Sequence, residues 1–580
     1  MEKKFYTQER NVQIVISLLK AHGIKRVIAS PGTTNMTFVG SIQQDPWFEI
    51  YSSVDERSAA YLACGMAAET GEPVVLSCTG ATASRNYMPG LTEAYYRKLP
   101  ILAITSHRGD ASIGHLLDQQ IDRRHIPNDI AMASVSVPLV SKFGDESYCI
   151  IEASKAILAL THKGGGPAHI NLHTNYCRVF DVKELPYTRV IRRYESLLGC
   201  PTLPEDSKIA IFVGAHTRFS SELERTVDAF CENHNAYVIS DHTSGYKGKY
   251  RIPYALLGGQ TFYRSTYKEI DLLIHIGEVS GDAFGRDFAP KRVWRVSPDG
   301  ELRDMFGSLT DVFEVPEIEF FEHYLKSGLS NVNAYKTYRK EYDDAINAME
   351  DLPFGNIWIA KQMHKLLPIG SELHLGILNS LRSWNFFDID SSIDTFSNVG
   401  GFGIDGGVSS LIGASMINKN KLYFGVFGDL SFFYDMNVLG NRHVGNNVRL
   451  LLINNGKGNE FRLSMHPCSI FGDDADMFMA AAGHYGNQSF TLVKHYAQDL
   501  GYKYLSASNK EEFKNVLNDF LSPVIKQSII LEVFTKMDDE KNALDILLSS
   551  LKDKKLVLKN KIKNSSLMPL AKTIKNIIKS

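Results

Sequence analysis

Short runs rich in apolar and β-branched residues recur along the chain, each followed by a stretch whose apolar positions repeat with helical spacing. Arg26–Ala29, Val74–Cys78, Ile101–Thr105 and Ala168–Asn171 make a first set. Ile209–Gly214, Asp271–Gly277 and Val293–Val296 make a second, and Leu422–Phe427, Val448–Ile453 and Ile529–Phe534 a third. Continuous apolar runs suit strands buried on both faces, and their alternation with helices predicts parallel sheets covered by helices. The expected fold class is therefore α/β, with three doubly wound parallel-sheet domains at residues 1–185, 193–335 and 351–540. A Pro- and Arg-containing connector, Leu185 to Arg193, separates the first two, and a charged helical stretch, Tyr335 to Glu350, leads into the third.

The last segment, 541–580, departs from this pattern. It holds ten lysines but only two acids, Asp545 and Asp553, and Ile574-Lys575-Asn576-Ile577-Ile578 has helical spacing. A basic helical tail of this kind is expected to be solvated, ahead of peripheral contact with an anionic membrane. Elsewhere, 63 Lys+Arg against 65 Asp+Glu leave a net charge of −2, so no global field points to nucleic acid. The seven cysteines are scattered and lack metal-binding spacing, the pattern of reduced thiols in a cytoplasmic protein. No apolar run reaches the ~18 residues of a membrane span, and the N-terminus lacks a signal-peptide core.

Chemistry concentrates at Gly428-Asp429-Leu430-Ser431, which reads as a strand end, a glycine turn and a helix start. Asn455, in the pair Asn454-Asn455, closes the next strand 26 residues after Asp429. A carboxylate and an amide oxygen at neighbouring strand ends suit Mg²⁺, which takes hard oxygen ligands and shares its octahedron with phosphates. The N–H groups of Leu430 and Ser431 would favour a diphosphate at the helix start. Far upstream, Val54-Asp55-Glu56-Arg57-Ser58-Ala59-Ala60 places a glutamate between a short strand and an Ala/Gly-rich helix, Ala59 to Ala68. Taken alone, Glu56 would read as a helix-terminal acid.

Together these segments resemble the thiamine diphosphate enzymes of the decarboxylase and acetolactate synthase type, whose metal motif usually reads Gly-Asp-Gly followed by Asn-Asn. Ser30-Pro31-Gly32-Thr33-Thr34, Glu93-Ala94-Tyr95-Tyr96, Gly403-Ile404-Asp405-Gly406 and the Gly-Asp-Leu-Ser form at 428–431 narrow the resemblance to the menaquinone-pathway succinyl-enolpyruvyl-hydroxycyclohexene-carboxylate synthases. The likeness runs from about residue 5 to residue 540 and is vaguest in the middle domain. It implies pyrimidine-binding, middle and pyrophosphate-binding domains, in that order. It implies thiamine diphosphate and Mg²⁺ as cofactors, with Asp429, Asn455 and the Lys457 carbonyl on the metal. Asn379, Ser380, Gly403, Leu430 and Ser431 would line the coenzyme, and Ile404 would prop it in a bent conformation. Glu56 would be the catalytic acid on the aminopyrimidine ring, kept protonated by apolar surroundings. Gln119 would face the substrate side. Flavin has no signature and is not expected. A homodimer or tetramer with active sites shared between copies is also implied.

The substrate side departs from the family. The synthases handle 2-oxoglutarate and isochorismate with several arginines, because a guanidinium clamps carboxylates bidentately. Here three of those arginines are replaced by Thr34, Trp384 and Val399; Arg108 is retained and Arg382 is displaced by two positions. Each lost charge-assisted contact costs about 1.5–3 kcal/mol. The expected activity is decarboxylation of a less anionic 2-oxo acid, with the acyl unit released or joined to a second carbonyl acceptor. Thr33, Thr34, Arg108, Gln119, Trp384, Phe461 and Arg462 would surround the substrate, with His107 as a candidate proton shuttle. The alternatives are the synthase activity itself, and a non-catalytic binding or scaffold protein, which would be expected to lose one of Glu56, Asp429 and Asn455. Lys163 to Gly166 is read as a turn, and the glycines at 400–407 lack the preceding strand of a dinucleotide site.

Overall fold

A computed structural model describes residues 4–282, 288–325, 334–464, 466–483, 489–553 and 556. Most of the Lys-rich tail, including Ile574 to Ile578, lies outside the described residues. Its beginning does not stand apart, because residues from Lys541 belong to the folded helix Met537–Leu547.

Three parallel sheets organise the chain. The first holds β1 (Arg26–Ala29), β2 (Glu49–Ser52), β3 (Val74–Thr79), β4 (Ile101–His107), β5 (Ala133–Val137) and β6 (Ala168–His173), in the order β2-β1-β3-β4-β6-β5. β7 (Arg192–Tyr194) follows, then β8 (Ile209–Val213), β9 (Tyr237–Ser240), β10 (Arg251–Pro253), β11 (Leu272–Ile276), β12 (Arg292–Val296) and β13 (Leu309–Phe313). Of these, β8 to β12 run in the order β10-β9-β8-β11-β12, while β13 pairs with β7. The last sheet holds β14 (Glu372–Leu375), β15 (Asp394–Phe396), β16 (Tyr423–Gly428), β17 (Val448–Asn454), β18 (Lys503–Ala507) and β19 (Ile529–Phe534), ordered β15-β14-β16-β17-β19-β18. Counted from its own first strand, each six-stranded sheet therefore reads 2-1-3-4-6-5. This equivalence is carried by topology and not by any visible sequence repeat.

The chain divides into two compact units, 1–196 with 299–314, and 197–298 with 315–580. In the first, Ala59, Ala60, Ala63 and Ala67 of the helix Glu56–Thr70 pack with Val74, Leu76, Ile101 and Ala103 of the sheet. Small side chains bring backbones close here, and a Cβ on Gly90 would collide with that of Ala60. In the second unit, Val408, Leu411, Phe427, Leu450, Leu452 and Ile530 form a core cluster under β16, β17 and β19. No helix among the described residues is long and apolar enough to cross a membrane.

Candidate functional site

In the last sheet the strand order reverses between β14 and β16, and crevices at such reversals lie beyond the carboxyl ends of the strands. The segments leaving those strands are Gly376–Asn379 and Gly428–Ser431, and both line one cavity of about 110 Å³. β17 contributes Asn455: its register pairs Gly428 with Ile453, which brings Asp429 and Asn455 out at neighbouring strand ends. Asn454 turns the other way, and its Nδ2 donates to Glu532 Oε1 at 2.7 Å.

Asp429 is only 5% exposed. Its Oδ1 accepts the Leu430 N–H at 2.8 Å and its Oδ2 the Gly456 N–H at 2.6 Å. Burial outweighs those bonds and pushes its pKa up to about 6. The Leu430 amide, expected to face a diphosphate, is thus turned to the carboxylate. The Ser431 hydroxyl donates to the Ile404 carbonyl at 2.6 Å, fixing that residue at the cavity wall. Asn455 Oδ1 lies 3.4 Å from the Lys457 N–H, and the Lys457 ammonium is held by Asp476 at 2.5 Å. Among the described residues no group of three or more His, Cys, Asp or Glu could hold a metal. One carboxylate, one amide oxygen and a backbone carbonyl, with room for phosphate oxygens, fit Mg²⁺ and a diphosphate.

Asn379, Ser380 and Phe461 also line the cavity. Leu378, at its rim, carries φ 64° and ψ −119°, strained backbone for a leucine. Among the lining residues that sequence reasoning missed are Asn356 and Glu540. Glu540 accepts from Thr535 Oγ1 at 2.8 Å and from the Asn356 N–H at 3.2 Å, and burial raises its pKa to about 7. No local pattern marks it, since its partner Asn356 is 184 residues away.

Other candidates sit elsewhere. Gly403 does not line the cavity. Trp384 is fully buried and does not line this cavity, and its indole N–H has no partner among the described residues. Val399, 4% exposed, is likewise core. Arg382 NH2 donates to both Glu460 carboxylate oxygens at 2.7 and 2.8 Å, which neutralises its charge, and NH1 donates to Asn379 Oδ1 at 2.8 Å. Arg462 is tied to Asp476 at 2.8 Å and Asp473 at 2.5 Å.

In the first unit, Glu56 opens its helix behind the cap Asp55, whose carboxylate accepts the Ser58 N–H at 3.1 Å. Glu56 accepts from Asn86 Nδ2 at 3.2 Å and keeps intermediate exposure in the single chain. Thr33 is exposed, whereas Thr34 is buried and donates to the Ser106 carbonyl at 2.8 Å. Arg108 donates to the Asp118 carbonyl and pairs with its carboxylate at 3.4 Å. Gln119 occupies a loop with φ 56°. His107 is no ready proton shuttle: burial lowers its pKa to about 3, its ring stacks on His173, and Nδ1 accepts the Gly109 N–H.

Residues 10–126 match the sequence profile described as "Thiamine pyrophosphate enzyme, N-terminal TPP binding domain". The chain is 30% identical over 570 residues to a 2-succinyl-5-enolpyruvyl-6-hydroxy-3-cyclohexene-1-carboxylate synthase of Phocaeicola vulgatus, covering 95% of this chain and 100% of that protein. A synthase of the same name from Bacteroides thetaiotaomicron matches at 30% with the same coverage. A third, from Flavobacterium psychrophilum, matches at 28%, covering 90% of this chain and 95% of its own. A solved Rhodococcus jostii RHA1 thiamine diphosphate-dependent 4-hydroxybenzoylformate decarboxylase aligns at 14% identity and a TM-score of 0.39, covering 91% of this chain and 99% of its own.

Proposed function

Because the chain belongs to the thiamine pyrophosphate enzymes, in the family of the 2-succinyl-5-enolpyruvyl-6-hydroxy-3-cyclohexene-1-carboxylate synthases, we propose that it joins an acyl unit from a decarboxylated 2-oxo acid to a second substrate, as such a synthase does. The observation that carries this reading is the cavity lined by Asp429 and Asn455, in a chain similar to the synthases over their full length. The sequence alone favoured a general decarboxylase or carboligase and kept the synthase as the alternative; the full-length likeness reverses that order.

Asp429, Asn455 and the Lys457 carbonyl would hold Mg²⁺, with Asn379, Ser380 and Ser431 about the diphosphate. Once bound, thiamine diphosphate would supply the electron sink for decarboxylation. Glu56 would hold a proton toward the aminopyrimidine ring, with the Asn86 amide steadying its other oxygen. Ile404 and Phe461 would shape an apolar wall that excludes water from the reacting carbonyl.

A second reading, the same chemistry on less anionic substrates, is favoured by Trp384 and Val399 lying in the core and Thr34 being committed to Ser106. One experiment decides between the two. The protein with thiamine diphosphate and Mg²⁺ is given isochorismate and 2-oxoglutarate, then a panel of neutral 2-oxo acids, with CO₂ and ligated product measured. Product from the first pair supports the synthase reading, and turnover confined to the panel supports the second. No CO₂ from any combination would refute both.

A further inference from the structure

Two buried guanidinium groups, Arg449 and Arg382, are each held by several oxygens, although Arg449 Nε has no partner among the described residues. Arg449 donates to the carbonyl oxygens of Asn446, Val448, Gln527 and Val524. Arg382 has its carboxylate. Arg123 differs. It is 6% exposed, and among the described residues it makes a single hydrogen bond, from NH1 to Thr105 Oγ1 at 3.1 Å. Among the described residues its Nε and NH2 donate to no protein acceptor, each keeping a little solvent contact, and Asp110 acts on it only from beyond ion-pair distance.

This side chain forms one wall of a cavity of about 20 Å³ within the first unit. Arg85, Ser84, Thr105, His169 and Tyr87 are its other polar neighbours, and the remaining wall is apolar. His169 brings no charge: it is fully buried, with its ring nitrogens against Thr105 Oγ1 and Ser134 Oγ, each at 2.8 Å. Arg85 adds a second cation, its NH2 donating to the Asp122 carbonyl at 2.7 Å. The guanidinium of Arg123 abuts Gly80, where a Cβ would collide with it and lie 2.7 Å from the Ser106 carbonyl oxygen. A charge held inside a protein without a counter-charge opposes folding. A space of this volume holds one small species, and a planar guanidinium with free donors matches an anion bidentately.

We propose that this cavity is a binding site for one small anion, a halide or the carboxylate end of an organic acid, held by Nε and NH2 of Arg123 with Arg85 alongside. The proposal invokes no reaction and does not rest on the coenzyme reading.

The test uses the full chain without thiamine diphosphate or Mg²⁺, in a buffer whose counter-anion is bulky, at constant ionic strength. Chloride should broaden its own NMR line saturably and raise the melting temperature, and formate should compete for the same site. Arg123→Met should abolish both effects, yet melt no lower than the wild type when small anions are absent. Should that variant fail to fold, Gly80→Ala keeps the arginine but crowds the guanidinium, and chloride should bind at least tenfold more weakly. Competition by succinate would assign the site to the carboxylate of a larger acid, and competition by formate alone would assign it to a free small ion. Unsaturable broadening in the wild type, or full binding in Arg123→Met or Gly80→Ala, would overturn the proposal.

Discussion

Asp429 allows a quantitative test of the coenzyme-free state. In the folded chain burial raises its pKa from 3.8 to about 6, and no cationic side chain among the described residues pairs with it. The folded state thus binds a proton more tightly than the unfolded state, so this group destabilises the fold when ionised. The penalty is fully present above the folded value and fades as pH falls through it. A shift of that size corresponds to about 3 kcal/mol at pH 7 and roughly half of that at pH 5. Because the carboxyl is only 5% exposed, solvent screening does not reduce this appreciably. Urea unfolding of the coenzyme-free protein at pH 7, 6 and 5 should be compared between wild type and Asp429→Asn, so that every other titrating group cancels. The difference in unfolding free energy between the two proteins should change by about 1.5 kcal/mol across that range. Adding Mg²⁺ with thiamine diphosphate should remove the dependence, since the metal would then answer the charge. Parallel curves for the two coenzyme-free proteins would refute the reasoning.

Glu56→Gln should lower CO₂ release by about 10²–10⁴-fold with no loss of melting temperature, and mixing it with Asp429→Asn protein should restore part of the activity if active sites are shared between copies. Arg382→Leu strands the Glu460 carboxylate and should cost about 3–5 kcal/mol, with most of it recovered in Arg382→Leu/Glu460→Leu, as read from urea midpoints. Gly90→Ala drives a methyl into Ala60 and should cost about 1–3 kcal/mol by the same measurement.

What could be read from sequence follows burial. β8, β11, β16, β17 and β19 are covered on both faces, so their residues are almost uniformly apolar and were found from that alone. Glu49–Ser52, Ala133–Val137, Asp394–Phe396 and Lys503–Ala507 lie at sheet edges, where solvent on one side permits polar residues, and none of them stands out. Asp429 and Asn455 were legible because adjacent parallel strands bring their ends together at a fixed chain spacing. Glu540, the Arg382–Glu460 clasp and Arg123 were not, because each depends on segments that meet only after folding. Trp384, which the resemblance places beside a substrate, is fully buried in the single chain, a burial its local sequence does not announce.

Leu378 makes foldedness and coenzyme grip separable quantities. A glycine at this position would relieve the unfavourable torsion, of order 1–3 kcal/mol, while enlarging the conformational freedom of the unfolded chain by a comparable amount. Leu378→Gly should therefore melt near the wild type, yet release the segment that presents Asn379 and Ser380 into many poses. Its thiamine diphosphate dissociation constant should rise several-fold while calorimetry registers little change, so the awkward torsion serves as a positional lock and not as a structural brace.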